Sequence, residues 1–303
     1  MISVSQKIKV ASSHLLRSQM ELDVEDYGLK GIGDLCNRIL ARYAEFPVPD
    51  VAQLAMDDTL YKTVAPLQFS LSKTGESFAN YANNLASARN IKVATLCRYY
   101  FECYVNLPRG KRECFIFGDD LNKLLNAMEK RVNVTLNYRG DVKNVSPCFL
   151  AFSSSQVRAY IVVCDGNVSK LVPSRFHSLR LCHIRGVAAD LESEAYHCEN
   201  FELSHQVDLY REHFDPFLCY GQSVKVRLTE KGAERYNKLT TNRPKIDGAE
   251  VCGAGDYTFE CSEKLAKIYF PQFLAEAEIL EPRDLRLWFK EEFERAAKVY
   301  SGQ

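Results

Sequence analysis

Polar and apolar positions follow the same pattern twice within the first 110 residues. Each copy opens with four residues in which polar and apolar side chains alternate, at 7–10 and 68–71, the period of a half-buried strand. Two helical patterns follow each strand, and a proline ends each copy. The predicted helices cover 13–27, 33–46, 75–88 and 92–107, with Pro47 and Pro108 after the second helix of each copy.

Matching residues at an offset of 61 positions identify the two copies as an internal repeat: Leu35-Cys36 recurs as Leu96-Cys97, and Tyr43 as Tyr104. Strand–helix–helix resembles half of a ribbon-helix-helix unit, so two copies predict a two-stranded ribbon formed within one chain. Alternation turns one strand face towards the helices. The opposite face carries Lys7, Lys9, Gln68 and Ser70. The resemblance implies that this face reads DNA bases in the major groove; a helical domain without DNA binding is the alternative.

The middle of the chain reads as one helix followed by short strands. Asp119-Asp120 is a suitable cap for a helix through Met128. Turn residues such as Arg139-Gly140-Asp141 then separate runs rich in β-branched and aromatic side chains. Five short strands at this spacing predict a small SH3-like or Sm-like β-barrel. The predicted strands are Val132–Tyr138, Val145–Phe152, Val157–Cys164, Lys170–Val172 and Leu179–Val187.

The order of motifs in this segment resembles a WYL domain. The matching runs are Val134–Tyr138, Val145–Pro147, Arg158–Ile161 and Lys170–Phe176. The signature tripeptide stands here as Ala159-Tyr160-Ile161, so its tryptophan and leucine are replaced, and the later basic run keeps mainly Arg175. Downstream, Ser223–Leu228 and a final helix opened by Glu281–Arg286 resemble the extension that follows WYL domains and commonly mediates dimerisation.

These resemblances together predict an α+β protein. Its expected parts are a ribbon-helix-helix-like double repeat (1–110), a WYL β-barrel with its preceding helix (111–188), a linker (189–222) and a C-terminal dimerisation domain (223–303). WYL domains bind nucleic acid or nucleotides through a basic groove. The resemblance implies base stacking on Tyr138 and Tyr160, phosphate contacts from Arg158 and Arg175, and a wider positive field from Arg139, Lys143 and Lys170. The alternative is that these tyrosines only pack within the barrel.

The domain combination is similar to the WYL accessory proteins found beside type VI-D CRISPR effectors, the RNA-guided ribonucleases of antiviral defence. That resemblance implies a homodimer that binds single-stranded RNA and enhances the effector. The alternative is a transcriptional regulator with the same domains, which reads operator DNA with its ribbon and senses a nucleotide with its barrel. A protein-interaction scaffold with an incidental basic patch is a third class.

Charge distribution changes what the composition implies. The 303 residues carry 39 basic and 39 acidic side chains, and this zero net charge argues at first against a nucleic-acid ligand. Residues 111–186, however, hold 12 Lys and Arg against 6 Asp and Glu, a net charge of +6. Residues 187–303 hold 15 against 22, a net charge of −7. The sequence therefore predicts an anionic partner for the middle segment.

No run of apolar residues is long enough for a membrane span, so no membrane association is expected. Eleven cysteines without a CxxC pair favour a reducing cytoplasm. Cys182-His183 and His197-Cys198 lack zinc-ligand spacing, and no phosphate-binding loop or nucleophile elbow is present. We therefore expect no metal, no cofactor and no enzymatic activity.

Overall fold

The computed structural model describes residues 6–46, 66–73, 76–89, 92–153, 157–165, 175–196, 201–248 and 250–302. The predicted strand Lys170–Val172 lies outside these ranges. The chain divides into two compact units. Unit 1 comprises Met1–Asn144, Phe152–Ile161 and Leu179–Glu192, and unit 2 comprises Val145–Ala151, Val162–Ser178 and Ser193–Gln303.

The start of unit 1 contains the two predicted strand–helix–helix copies. The first consists of β1 (Lys7–Val10), α1 (His14–Tyr27) and α2 (Ile32–Glu45), and the second of β2 (Leu67–Ser70), α3 (Glu76–Arg89) and α4 (Val93–Val105). Strands β1 and β2 pair antiparallel with Ile8 opposite Phe69. The predicted alternation is present, since Ile8, Val10, Phe69 and Leu71 are buried.

Local signals in the sequence set the ends of these helices. The Ser13 side chain accepts a hydrogen bond from the amide of Leu16 (3.1 Å) and caps α1. Gly28 ends α1 in the left-handed conformation (φ 61°), which glycine adopts without a Cβ penalty. Buried Asn37 on α2 donates to the carbonyl of Ser70 (3.0 Å) and accepts from the amide of Ser72 (2.8 Å). One side chain therefore fixes the end of β2 against α2.

Two further helices, α5 (Arg109–Ile116) and α6 (Gly118–Lys130), follow the repeat. The sequence predicted only α6, because Pro108 reads as a helix end; it also stands at the N-cap of α5, where its missing N–H costs nothing. Asp119 and Asp120 lie in the first turn of α6 and do not cap it, since the N-cap residue is Phe117.

The middle strands form one five-stranded sheet in the order β6-β5-β4-β3-β7. Its members are β3 (Asn133–Tyr138), β4 (Asp141–Phe152), β5 (Ala159–Asp165), β6 (Phe176–Arg180) and β7 (Ile184–Asp190). The expected closed barrel is not seen among the described residues, where β6 and β7 are the two edges of the sheet. The expected single strand Leu179–Val187 is also wrong, because a 3-10 turn at Leu181–His183 divides it into β6 and β7.

Unit 2 has two apolar cores. In the first, α7 (Phe201–Glu212) packs Leu203, Val207 and Tyr210 against side chains that include Phe149 and Phe176. This helix lies within residues 189–222, the stretch that the sequence analysis assigned to a linker. Its buried face consists of Leu203, Val207 and Tyr210, the i, i+4, i+7 spacing of an amphipathic helix.

The second core of unit 2 belongs to the C-terminal part of the chain. The sheet order is β11-β8-β10-β9. The elements are β8 (Ser223–Leu228), α8 (Glu230–Lys238), β9 (Lys245–Ile246), β10 (Gly255–Glu260), α9 (Glu263–Tyr269), β11 (Ala277–Glu281) and α10 (Arg283–Ser301). Leu285 and Phe289 bury one face of α10 in this core. The α+β class is confirmed. Throughout the described ranges, every helix is too short or too polar to cross a bilayer.

Candidate nucleic-acid interface

The ribbon places its four predicted residues on one exposed face. Lys7 pairs with Ser70 and Lys9 with Gln68 across the two strands, and all four side chains point away from the buried Ile8 side. Positive charge is confined to one strand, while the other offers only an amide and a hydroxyl. The face can donate hydrogen bonds to base edges or phosphates, with two charges for attraction.

A second group of basic and aromatic side chains, partly exposed, lies where β3 ends beside β7. The β3–β4 turn runs through Arg139 and Gly140, both at positive φ (54° and 100°), and this conformation suits a tight hairpin. The turn projects Arg139 into solvent with its guanidinium carbon 5.6 Å from the centre of the Tyr138 ring. His183 meets the same ring edge-on at 6.2 Å. Tyr138 therefore has a cation over one face of its ring, which combines an aromatic side chain with a phosphate-binding group.

Arg185 extends this group along β7. The register places it opposite Asn137, one position from Tyr138. Its guanidinium lies 4.6 Å from the Phe117 ring and donates to the carbonyl of Ile184 (2.6 Å). We call Tyr138, Arg139, His183 and Arg185 the basic-aromatic surface. In the part of the chain that the structure describes, no carboxylate lies within 4 Å of Arg139 or Arg185.

The pKa of His183 reflects the field at this surface. Burial lowers the pKa, and the nearby positive charges of Arg139, Arg180 and Arg185 lower it further, to about 4. His183 is therefore neutral at pH 7, where its ring can donate or accept a hydrogen bond. The contribution of the three arginines is a positive potential at this ring, which attracts an anionic ligand.

Arg158 and Tyr160 are each bound to other side chains of unit 1. Tyr160 is only 8% exposed and is hydrogen-bonded to Arg158, and burial raises the pKa of its hydroxyl. Arg158 donates to Asp26 Oδ1 at 2.8 Å. Arg158 is therefore bound to a carboxylate and Tyr160 is buried, although the sequence predicts that both contact a ligand together with Tyr138 and Arg139.

Asp26 receives three arginines at once. Arg180 and Arg109 reach its Oδ2 at 2.5 and 2.8 Å, while Arg158 reaches Oδ1. Burial alone would raise the pKa of Asp26, but the hydrogen bonds from Arg180 and Arg109 and the surrounding positive charge lower it below the ordinary value. The carboxylate is ionised at neutral pH.

Glu113 on α5 holds the sheet from the other side of this cluster. Fully buried, it accepts the amide of Ala159 at 3.1 Å through Oε2 and the amide of Cys182 at 2.9 Å through Oε1. Its Oε1 also lies 3.5 Å from Arg180 Nε. The Cys182 amide belongs to the 3-10 turn that ends β6, so Glu113 satisfies a backbone donor that the sheet leaves unpaired.

A further buried ion pair joins α1 to α5. Asp23 accepts from Arg112 through both carboxylate oxygens, at 2.7 and 3.1 Å, and from the Tyr104 hydroxyl at 2.8 Å. Asp23 is 2% exposed and Arg112 is 6% exposed. Such a bidentate pair fixes the orientation of both side chains.

These pairings reduce the free positive charge of the middle segment. Arg112, Arg158 and Arg180 all contribute to the net +6, yet each binds a carboxylate, and Asp23 and Asp26 come from outside the segment. The excess that remains available to a ligand is smaller than the sequence suggests. The remaining positive charge is carried by residues such as Arg139 and Arg185.

The other predicted site residues are spread over the chain. Lys143 is half-buried near the start of β4, and Lys170 lies outside the described residues. Arg175 belongs to unit 2; it is half-buried, and its Nε has no hydrogen-bond partner within the described residues.

Asp26, Glu113, Arg180 and Arg185 do not stand out in the sequence as site residues. Asp23, Glu25 and Asp26 follow one another near the C-terminal end of α1, where the helix dipole disfavours negative charge. That misplaced cluster was the available signal that some of these carboxylates have cationic partners.

Cysteines and histidines form no group of metal ligands within the described ranges. The Cys182 sulfur lies 3.8 Å from His183 Nδ1, and burial raises the pKa of this thiol to about 12. The thiol is therefore protonated at pH 7, the wrong state for binding zinc. The second considered pair, His197-Cys198, lies outside the described residues.

No protein-family model and no curated protein matches the chain. Among solved structures, the chain is similar to one described as a CRISPR Cas-related protein, with a TM-score of 0.60 and 16% identity over 99% of this chain and 95% of that chain. A match to the proteasome accessory factor B/C of Arthrobacter aurescens has a TM-score of 0.29 and 13% identity, over 86% of this chain and 34% of that chain. The first match shows a shared fold over the whole chain.

Proposed function

We propose that this protein is a non-catalytic regulator that binds single-stranded RNA as an accessory of a type VI-D CRISPR effector. The observation that carries the proposal is the basic-aromatic surface, where Arg139 lies over the Tyr138 ring and Arg185 lies on the neighbouring strand, neither with a carboxylate within 4 Å among the described residues. Phosphates would bind the guanidinium groups and an unpaired base would stack on Tyr138. The WYL-like motifs of the sequence and the shared fold with a CRISPR Cas-related protein support the same assignment.

Unpaired bases distinguish this ligand from a duplex. In a duplex both faces of every base are already stacked, so Tyr138 gains nothing from it beyond phosphate contacts. The test compares single-stranded RNA, single-stranded DNA and duplex DNA of equal length by fluorescence anisotropy over a range of salt concentrations. We expect the tightest binding for single-stranded RNA; equal affinity for duplex DNA would contradict the proposal.

The ribbon favours a second candidate, a transcriptional regulator that reads operator DNA and senses a nucleotide. Its observation is the exposed face of Lys7, Lys9, Gln68 and Ser70 on a ribbon-helix-helix-like fold. Changing Lys7 and Lys9 together to alanine abolishes sequence-specific duplex binding under this candidate and leaves RNA binding nearly unchanged under the first. Lys238→Ala, on exposed α8 of unit 2, is the matched control for loss of positive charge.

The proposed active form is a homodimer joined through the C-terminal domain. On α10, Leu287 is 45% exposed and Tyr300 is 93% exposed, while Trp288 and Phe293 are only partly buried against the core. These exposed and partly buried apolar side chains would be covered in the proposed dimer. Light scattering coupled to gel filtration should give twice the chain mass of 34.5 kDa, and Leu287→Lys should reduce it to one chain. A single-chain mass for the wild type would contradict the dimer.

A further inference from the structure

The cluster around Asp26 carries more positive charge and more donors than one carboxylate uses. Arg109, Arg158 and Arg180 point at two oxygens, and each guanidinium has more N–H donors than a single oxygen can accept. Glu113 adds one further negative charge nearby. The cluster therefore has three cations for two anions.

The position of Asp26 in its helix destabilises its carboxylate. It lies in the last turn of α1, where the exposed carbonyl groups of the helix repel a carboxylate. The arginines, and not the helix, keep it in place. Asp23, three residues earlier, has its own bidentate partner in Arg112, so it does not compete for the same guanidinium groups.

Solvent can reach the cluster. A cavity of about 650 Å³ is lined by Arg109 and Arg112, by the carboxylates of Asp23, Glu25 and Asp26, and by Gln19 and Leu22. Arg109 is 40% exposed, whereas Arg180 is 10% exposed and reaches Asp26 from inside the unit. Of the three cluster arginines, Arg109 lines this cavity, so an anion in the cavity would meet its guanidinium group.

We propose that Arg109, Arg158 and Arg180 form a phosphate-binding site that the Asp26 carboxylate occupies as a built-in competitor. A phosphate group offers more acceptor oxygens than a carboxylate and binds guanidinium groups in the same planar, bidentate manner. When a phosphate binds, the Asp26 side chain turns out of the cluster towards the cavity. The proposal rests on the proposed function in taking the phosphate to be that of an RNA strand.

The test removes the negative charge of Asp26 and keeps the size and shape of the side chain. Asp26→Asn should bind single-stranded RNA at least about tenfold more tightly than the wild type, the equivalent of one added charge-assisted contact. Glu25→Gln is the matched control, because it removes the same charge from an exposed side chain on the same helix and the same cavity. It should change the affinity by less than about threefold, through long-range charge alone. Equal gains for the two variants would overturn the proposal.

A second measurement holds even if Asp26→Asn is unstable. Inorganic pyrophosphate should refill the vacated site and raise the unfolding midpoint of this variant until the site saturates, since a ligand that binds only the native state stabilises it. Sodium chloride at the same ionic strength should not. The added change Arg109→Gln should remove the effect. No pyrophosphate stabilisation beyond that of sodium chloride would overturn the proposal.

The two assays also separate this inference from the proposed function. RNA binding by the wild type with no special effect of Asp26→Asn would leave the function standing and reject the competitor. Pyrophosphate stabilisation of Asp26→Asn, with no RNA binding by the wild type or the variant, would support the anion site and reject RNA as its ligand.

Discussion

The buried pair between Asp23 and Arg112 should be a main source of stability in unit 1. Asp23→Asn keeps the size of the side chain but leaves the Arg112 guanidinium buried without its counter-charge. Removing one partner of a buried pair costs about 3–5 kcal/mol. For a unit of this size, each kcal/mol shifts the unfolding midpoint by roughly 2–4 °C, so we expect a shift of about 6–20 °C.

The assay needs a probe for each unit. Trp288 is the sole tryptophan and lies in unit 2, so its fluorescence reports on that unit, while far-UV circular dichroism includes the helices of unit 1. The dichroism transition should move in Asp23→Asn, and exposed Glu25→Gln on the same helix should leave it within about 0.5 kcal/mol of the wild type. A loss below about 1 kcal/mol in Asp23→Asn would refute the reasoning from burial and geometry.

Two further predictions concern the middle sheet. Glu113→Ala leaves the amides of Ala159 and Cys182 buried without an acceptor, which costs about 1–3 kcal/mol for each amide. Urea denaturation should show this loss of stability, with Glu129→Ala at an exposed position as the control. Equal urea midpoints for the two variants would contradict the role of Glu113. The pKa of His183 is lowered to about 4 in the folded state, whereas an unfolded histidine has a pKa of about 6.5. Between these pH values the unfolded chain binds a proton at this residue and the folded chain does not, so the stability of the fold should fall as pH falls from about 6.5 to about 4. His183→Asn should lose this part of the pH dependence, and an unchanged stability profile would show that His183 does not titrate as described.

The sequence predicted best where a short-range pattern decides the structure. Alternation in Lys7–Val10 and Leu67–Ser70 and the Ser13 cap are properties of a few neighbouring residues, and the structure contains the elements that they predict. The turn at Arg139-Gly140 is another such case. The residue types and their spacing are enough to predict this turn, because the backbone conformation of a turn depends on its own few residues.

Sequence patterns failed where a distant side chain decides the structure. The break at Leu181–His183 depends on Glu113, which lies 69 residues away and accepts the Cys182 amide. Arg158 reads as an unpaired cation in the sequence, but Asp26 binds it across 132 residues. Carboxylates on helices normally face solvent, so even where a local pattern marks an unusual carboxylate, as at Asp26, it does not identify the distant group that the carboxylate binds.

The central claim is that an exposed basic-aromatic surface binds the RNA backbone, and the salt dependence of affinity tests it most directly. Each phosphate neutralised on a single strand contributes about 0.7 to the slope of log affinity against log salt. The double variant Arg139→Ala/Arg185→Ala should therefore lower the slope for single-stranded RNA by about 1.4, with Lys238→Ala leaving it unchanged. An unaltered slope and affinity in the double variant would contradict the claim and place the nucleic-acid contacts elsewhere.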